Sequence, residues 1–231
     1  LARLQRSLAA IRLPNPLSQE AWVAVIEHLA QENPDGNQSI YLQITRGDYP
    51  TRAHRIPDTV NPNVFAFAAP LGPRDPQVAI TGIRAITVPD IRWHHCDIKT
   101  TNLLANVLAL AEATERGAED AILLRDGEAK EGTSSNLFIV HNEVLITPPD
   151  SDQLLPGVTR NLVLELAAEA HLACAQQPIH LQELQQASEI WLTSSTREIA
   201  PVVMLDDQTV GNGQPGPHWQ FMDALYQQAK K

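Results

Sequence analysis

A chain of 231 residues is long enough for one large domain or two small ones, and a hydrophobic fraction of 43% sets it with globular rather than disordered proteins. The formal net charge of −10, with acids scattered along the chain, argues against nucleic acid or an anionic membrane surface as a partner, and no apolar run is long enough to cross a bilayer or reads as a signal peptide. Two cysteines, Cys96 and Cys174, make no disulfide framework, so a reducing, cytoplasmic setting is expected.

Leu1, Leu4, Leu8 and Ile11 fall at helical spacing with no capping residue ahead of them, and Leu13-Pro14-Asn15-Pro16 stops that helix. Ser18 caps a second helix, with Trp22, Ile26 and Leu29 on one face. Asn33-Pro34-Asp35-Gly36 is turn chemistry, Ile40, Leu42 and Ile44 alternate as a half-buried strand, and Val64 to Ala69 reads as another. The breaker-rich stretch from Pro70 to Pro76 marks a linker, giving a small domain over 1–70, a linker over 71–76 and a larger domain over 77–231. Strands are expected at 78–80, 85–88, 121–124, 136–140, 144–147, 190–193 and 202–205, with an Asp126-Gly127 hairpin turn. Helices follow from Leu103, Leu104, Val107, Leu108 and Ala111 (ending at Gly117), from Leu162, Leu164 and Leu166 after Gly157 and Thr159, from 181–187, and from Trp219, Met222, Leu225 and Tyr226. The expectation is a mixed α+β architecture in two lobes.

Only four lysines occur, and two of them end the chain. Lys130, next to Glu131, reads as an ordinary exposed strand position, whereas Lys99 leads into a strongly apolar helix. An amine attacks an aldehyde only when neutral, and burial lowers its pKa, so Lys99 is a candidate nucleophile; alternatively its stem simply packs on leucines. Glu131-Gly132-Thr133-Ser134-Ser135-Asn136 offers a carboxylate that could keep a pyridine nitrogen protonated, or a polar turn. Leu155-Pro156-Gly157-Val158-Thr159-Arg160 opens a helix whose free N–H groups suit a phosphate, and Thr193-Ser194-Ser195-Thr196 sets hydroxyls at a strand end. His94-His95-Cys96 gathers metal-ligating residue types, but neighbours on a strand face opposite ways, so no metal is expected. No P-loop and no Ser-x-x-Lys motif is present.

Taken in order and spacing, these segments resemble the fold-type IV (class IV) pyridoxal-phosphate aminotransferases, most closely the D-amino-acid (D-alanine) aminotransferases. The resemblance is carried by Arg92-Trp93, Cys96-Asp97-Ile98-Lys99, Glu131 thirty-two residues further on, Gly157-Val158-Thr159-Arg160 and Thr193-Ser194-Ser195-Thr196. In the first lobe it rests on Tyr41 to Gly47 and on Arg52-Ala53-His54. It implies a small α/β lobe plus a larger, β-barrel-like α/β domain with pyridoxal 5′-phosphate as cofactor. It also implies that Lys99 carries the cofactor as a Schiff base and then shuttles a proton, and that Glu131 bonds the ring nitrogen. Leu155 would pack on the ring; Arg3, the Val158 and Thr159 amides and Ser195 would hold the phosphate, with Ser134 and Ser194 behind them. Ser195 stands where the family more often has threonine. Arg52 and His54 would take the substrate carboxylate, in this family reaching across a homodimer, although the loop between Arg46 and Arg52 is one residue longer than in the nearest relatives.

The implied reaction moves an amino group from a D-amino acid to a 2-oxo acid such as 2-oxoglutarate. Alternatives are an aminodeoxychorismate lyase or a branched-chain L-amino-acid aminotransferase of the same fold, both disfavoured by Arg52-x-His54, and a non-catalytic cofactor-binding remnant. The family's first strands, with a glycine-rich motif and an active-site tyrosine, are expected ahead of Leu1, so the chain should start inside a longer protein.

Overall fold

The computed structural model describes residues 1–33, 36–48 and 54–230. The chain divides into two compact units, Leu1–Pro73 and Arg74–Lys231.

The first unit holds helices α1 (Ala2–Ala10) and α2 (Gln19–Glu32) and strands β1 (Gln38–Thr45) and β2 (Asn63–Pro70). The strands pair antiparallel from Gln38 opposite Pro70 to Thr45 opposite Asn63. Ser18 caps α2, its hydroxyl accepting from the Ala21 N–H at 3.2 Å. Trp22 is buried beneath that helix and donates its indole N–H to Asn15 Oδ1 at 2.9 Å. Arg46 donates to the carbonyls of Ile11 and Arg12, so this guanidinium fastens the end of α1 to the hairpin.

The second unit runs α3 (Pro76–Thr81), β3 (Ile83–Pro89), α4 (Leu104–Glu115), β4 (Asp120–Arg125), β5 (Glu128–Gly132), β6 (Asn136–His141), β7 (Val144–Thr147), α5 (Val158–Glu169), β8 (Cys174–Gln176), β9 (Ile179–His180), α6 (Leu181–Gln185), β10 (Glu189–Ser194), β11 (Glu198–Leu205), β12 (Gln208–Thr209) and α7 (Pro217–Ala229). Six of the strands close a ring in the order β6, β10, β11, β3, β4, β5, and back to β6 through Glu131 opposite Asn136. Alternate residues explain the layering. Ile122, Leu137, Ile139, Ile190 and Leu192 point into one core, while Phe138, Val140 and Trp191 point outward onto α5 and α7. On the far side Ile86, Val88, Ala121 and Leu123 pack on Ala109 and Ala113 of α4.

Asp126 and Gly127 both have positive φ (54° and 81°), the turn that a two-residue hairpin needs. The strand expected at 78–80 is instead part of α3: the Asp75 carboxylate accepts from the Gln77 N–H at 2.9 Å and Pro76 presets the first helical φ, so the cap outweighs the β-branched residues behind it. Lys130 is not an exposed strand position either; its ammonium lies on Glu128 at 2.5 Å with the side chain largely buried. Strands β8, β9 and β12, each two or three residues long, carry too little alternation to be read from sequence.

Candidate functional site

The ring pairing gathers the chemistry at one end of the barrel. Glu131, near the end of β5, and Thr193, near the end of β10, both lie opposite Asn136, the first residue of β6. Antiparallel neighbours on each side of β6 bring two strand ends to one strand start. The Glu131-to-Asn136 run and the Thr193-to-Thr196 run, sixty residues apart in sequence, become neighbours in this way.

Glu131 is 5% exposed. Its carboxylate accepts from the Arg92 guanidinium, from Asn136 Nδ2 at 3.1 Å and from the Leu155 N–H at 3.1 and 3.3 Å. Burial pushes this carboxyl up to about 7, against the pull of the Arg92 charge and the Arg92 and Leu155 hydrogen bonds. Arg92 in turn forks onto Asp90 through Nε at 2.9 Å and NH2 at 2.9 Å, and donates to the Gln153 carbonyl at 3.0 Å. Arg125 takes the remaining side of Asp90 at 2.9 Å. Burial works against the charge of Asp90, but the bonds and charge of Arg92, with Arg125, outweigh it and hold the carboxyl below its ordinary range.

The α5 N-terminus lies beside this carboxylate. Asn136 donates to the Leu155 carbonyl at 2.8 Å as well as to Glu131, and its Oδ1 fills the space that a Cβ on Gly157 would need. Gly157 is the N-cap of α5 and no side chain caps the helix, so its first N–H groups, those of Val158 and Thr159 included, are left for a ligand rather than a capping side chain. Val158 is exposed, whereas Thr159 is buried. One turn in, the buried Arg160 donates to Pro148 O at 2.7 Å, Asp150 at 2.8 Å, Gln176 Oε1 at 3.1 Å and Thr147 Oγ1 at 3.2 Å, which locks the helix start to β7 and β8.

The second hydroxyl run is tied to the first by Asp120. This buried carboxylate accepts from Thr133 Oγ1 at 2.6 Å, Ser135 Oγ at 3.1 Å and Arg197 at 3.1 Å, and the Arg197 N–H donates to Ser194 Oγ at 3.1 Å. Ser134 and Ser195 are exposed and Ser194 is half-buried. Among the described residues Thr193 Oγ1 is a buried hydroxyl oxygen with no hydrogen-bond partner, which suits a site that a polar ligand completes.

Leu155 is half-buried, and its N–H is committed to Glu131. Lys99 sits in the irregular segment before α4, anchored three residues earlier by the Cys96 N–H donating to Asp152 O at 2.7 Å. It is exposed, not buried by the helix it precedes, because Leu104, Val107 and Leu108 of α4 are themselves solvent-facing. Arg3 (on α1) and His54 belong to the first unit, with Arg3 half-buried and His54 exposed. Arg52 lies outside the described residues.

Sequence reasoning missed Asp90, Arg125, Asp120 and, as site residues, Arg92 and Asn136. Four of these five are charged: Asp120 and Arg125 carry no local motif and meet partners 13 to 77 residues away, while Asp90 and Arg92 stand two residues apart and Arg92 reaches Glu131 39 residues further on. The available signals were Arg92 in the Arg92-Trp93 pair and Asn136 at the end of the Glu131 run.

Residues 1–205 match the family described as amino-transferase class IV. The D-alanine aminotransferase of Bacillus licheniformis is 38% identical over 217 residues, covering 94% of this chain and 76% of that protein. Among solved structures, the Escherichia coli branched-chain amino acid aminotransferase superimposes with a TM-score of 0.90 at 26% identity, covering 98% of this chain and 77% of that one. The branched-chain aminotransferase of the thermophilic archaeon Thermoproteus uzoniensis, with norvaline, gives 0.88 at 26% identity, covering 98% and 76%.

Proposed function

The chain belongs to the class IV aminotransferase family, and from that membership we propose that it transfers the amino group of a D-amino acid to a 2-oxo acid such as 2-oxoglutarate, with pyridoxal 5′-phosphate as cofactor. The observation that carries the reading is a buried carboxylate, Glu131, set beside the uncapped start of α5 in a chain 38% identical to a D-alanine aminotransferase.

The residues fit that cofactor. A phosphate matches the Val158 and Thr159 amides, where the Gly157 junction leaves no room for a side chain, and the unpartnered Thr193 hydroxyl marks an unfinished polar surface nearby. A ring nitrogen matches Glu131. When bound, the cofactor supplies an electron sink for the bond broken at the substrate Cα. Everything else falls to the protein. Lys99 offers the amine that holds the cofactor and then takes and returns the Cα proton, a task for which its exposed position requires that ligand or a partner subunit complete the burial. Glu131 keeps the ring nitrogen charged, and Leu155 packs one face. Ser195 completes the phosphate grip, with Ser134 and Ser194 behind it. Arg52 and His54 take the substrate carboxylate, an arginine being suited because its fork meets both oxygens.

A homodimer is part of the proposal. Leu104, Val107 and Leu108 on α4 are exposed, as are Trp93 and Ile91 before it, and exposed apolar side chains of this kind are what association covers. A cytoplasmic location also belongs to it; among the described residues no helix is long and apolar enough to cross a membrane. A second reading, transfer from branched-chain L-amino acids, is favoured by the two solved neighbours, both at 26% identity.

The test is a single half-reaction. Protein loaded with pyridoxal 5′-phosphate is mixed with D-alanine or L-leucine, and the visible cofactor band is followed. Loss of the band with D-alanine alone supports the proposal; loss with L-leucine alone replaces it by the second reading. Lys99→Ala is expected to lower turnover by about a thousandfold or more and to abolish covalent capture of the cofactor on borohydride reduction, read by intact mass.

A further inference from the structure

Arg92 has no part in the roles assigned above, yet its buried guanidinium touches the carboxylate on which they depend. The fork that Nε and NH2 make on Asp90, at 2.9 Å each, uses one edge of the guanidinium and leaves NH1 to meet Glu131 Oε1. The plane of the group is therefore set from behind. Asp90 is itself held by Arg125, which also donates to the Arg92 carbonyl at 3.0 Å. The result is a row of four groups of alternating sign, Arg125, Asp90, Arg92 and Glu131, whose side chains are all less than a tenth exposed.

Left alone at this depth, a carboxyl group keeps its proton. A neutral Glu131 would hold a protonated ring nitrogen weakly, since the strong interaction there needs the anion. Two neutral donors, Asn136 and the Leu155 N–H, favour the anion but cannot supply a countercharge. Among the described residues, the charged and titratable groups that act on Glu131 include Arg92 and Asp90, with Cys96 and Arg160 also coupled to it, and Arg92 bonds it. We infer that Arg92, oriented by Asp90, is the positioning residue that favours the anionic form of Glu131 and fixes the direction of its carboxylate toward the ring nitrogen of the cofactor. The inference rests on the function proposed above. A lysine could supply the charge at this place but not the fork that fixes its direction.

The experiment compares binding of pyridoxal 5′-phosphate with that of its analogue carrying carbon in place of the ring nitrogen, for the wild-type chain, Arg92→Gln, Arg92→Lys and Asp90→Asn. A role in folding alone would weaken both compounds together and leave their ratio unchanged. The wild type is expected to prefer the nitrogen compound. Arg92→Gln should cut that preference by about tenfold or more, and Arg92→Lys, which keeps the charge but not the fork, should restore only part of it. Asp90→Asn, which leaves Arg92 charged but loosens its fork, should lower the preference severalfold, and it carries the test if Arg92→Gln does not fold. A preference unchanged in Arg92→Gln, or in Asp90→Asn where that variant stands in, overturns the part assigned to Arg92. A wild type with no preference removes the part assigned to Glu131, and the proposed function with it.

Discussion

The protonation of Glu131 ties stability to pH in a direction that runs against the usual carboxylate. Unfolded, the group titrates near 4.5; folded, burial moves it up to about 7. Between those values the folded chain holds a proton that the unfolded chain has released. The stability contributed is therefore complete below the lower value and lost as pH rises through the upper one. The cofactor-free protein should lose on the order of 3 kcal/mol across that window. The measurement is the urea midpoint, expected to fall as pH rises from about 5 to about 7.5. Glu131→Gln should flatten the slope; a wild-type midpoint that rises through the window would refute the assignment. Asp90, held low, acts in the opposite sense at more acidic pH, so the two effects occupy different ranges. Glu131 and Lys99 stand out as candidates in the sequence because each sits in a short run of telling residues. The surroundings of each were not. Neither the guanidinium beside Glu131 nor the exposure of Lys99 follows from neighbours in sequence, since both depend on which segments the closed ring brings close.

Among the elements, α5 is the one whose start matters most. Gly157 has an ordinary φ of −78°, so a substitution there strains no backbone; the obstacle is the Asn136 amide, pinned between Glu131 and the Leu155 carbonyl. Gly157→Ala should therefore destabilise by about 1 to 3 kcal/mol and weaken phosphate-bearing ligands more than pyridoxal, which lacks the phosphate. Equal weakening of both would argue against a phosphate seat at this helix. Arg160→Met, by removing a buried guanidinium and leaving several acceptors unsatisfied, is expected to cost about 3 kcal/mol, measured by chemical denaturation. Helices with strong local signals were readable: Ser18 before α2 and Gly157 before α5 both stand where the chain turns helical. At Val78 to Ile80 the same reasoning failed, because the Asp75 and Pro76 start signal was absorbed into a stretch read as linker.

For the molecule as a whole, the property to measure is association. Leu104 is 70% exposed and Leu108 52%, on a helix whose opposite face packs against the barrel. Light scattering is expected to give about twice the mass of one chain, and a Leu104→Lys, Leu108→Glu pair to give one. A monomeric wild type would leave Arg52 and His54 without the crossing that their proposed role requires. The change of pattern along the chain points to two parts, and the resemblance implies a β-barrel-like larger domain; which strands meet to close the ring is not written in any local pattern.

That closure is narrow. Along the contact of β5 with β6 a single residue pair, Glu131 with Asn136, is in register, and both members of it belong to the candidate site. The barrel thus has a clasp, and a ligand held by both that carboxylate and the start of α5 would fasten it. Ligand binding should slow amide exchange at 131–136 before it does so in the interior strands, making the seam the place where occupancy is felt mechanically.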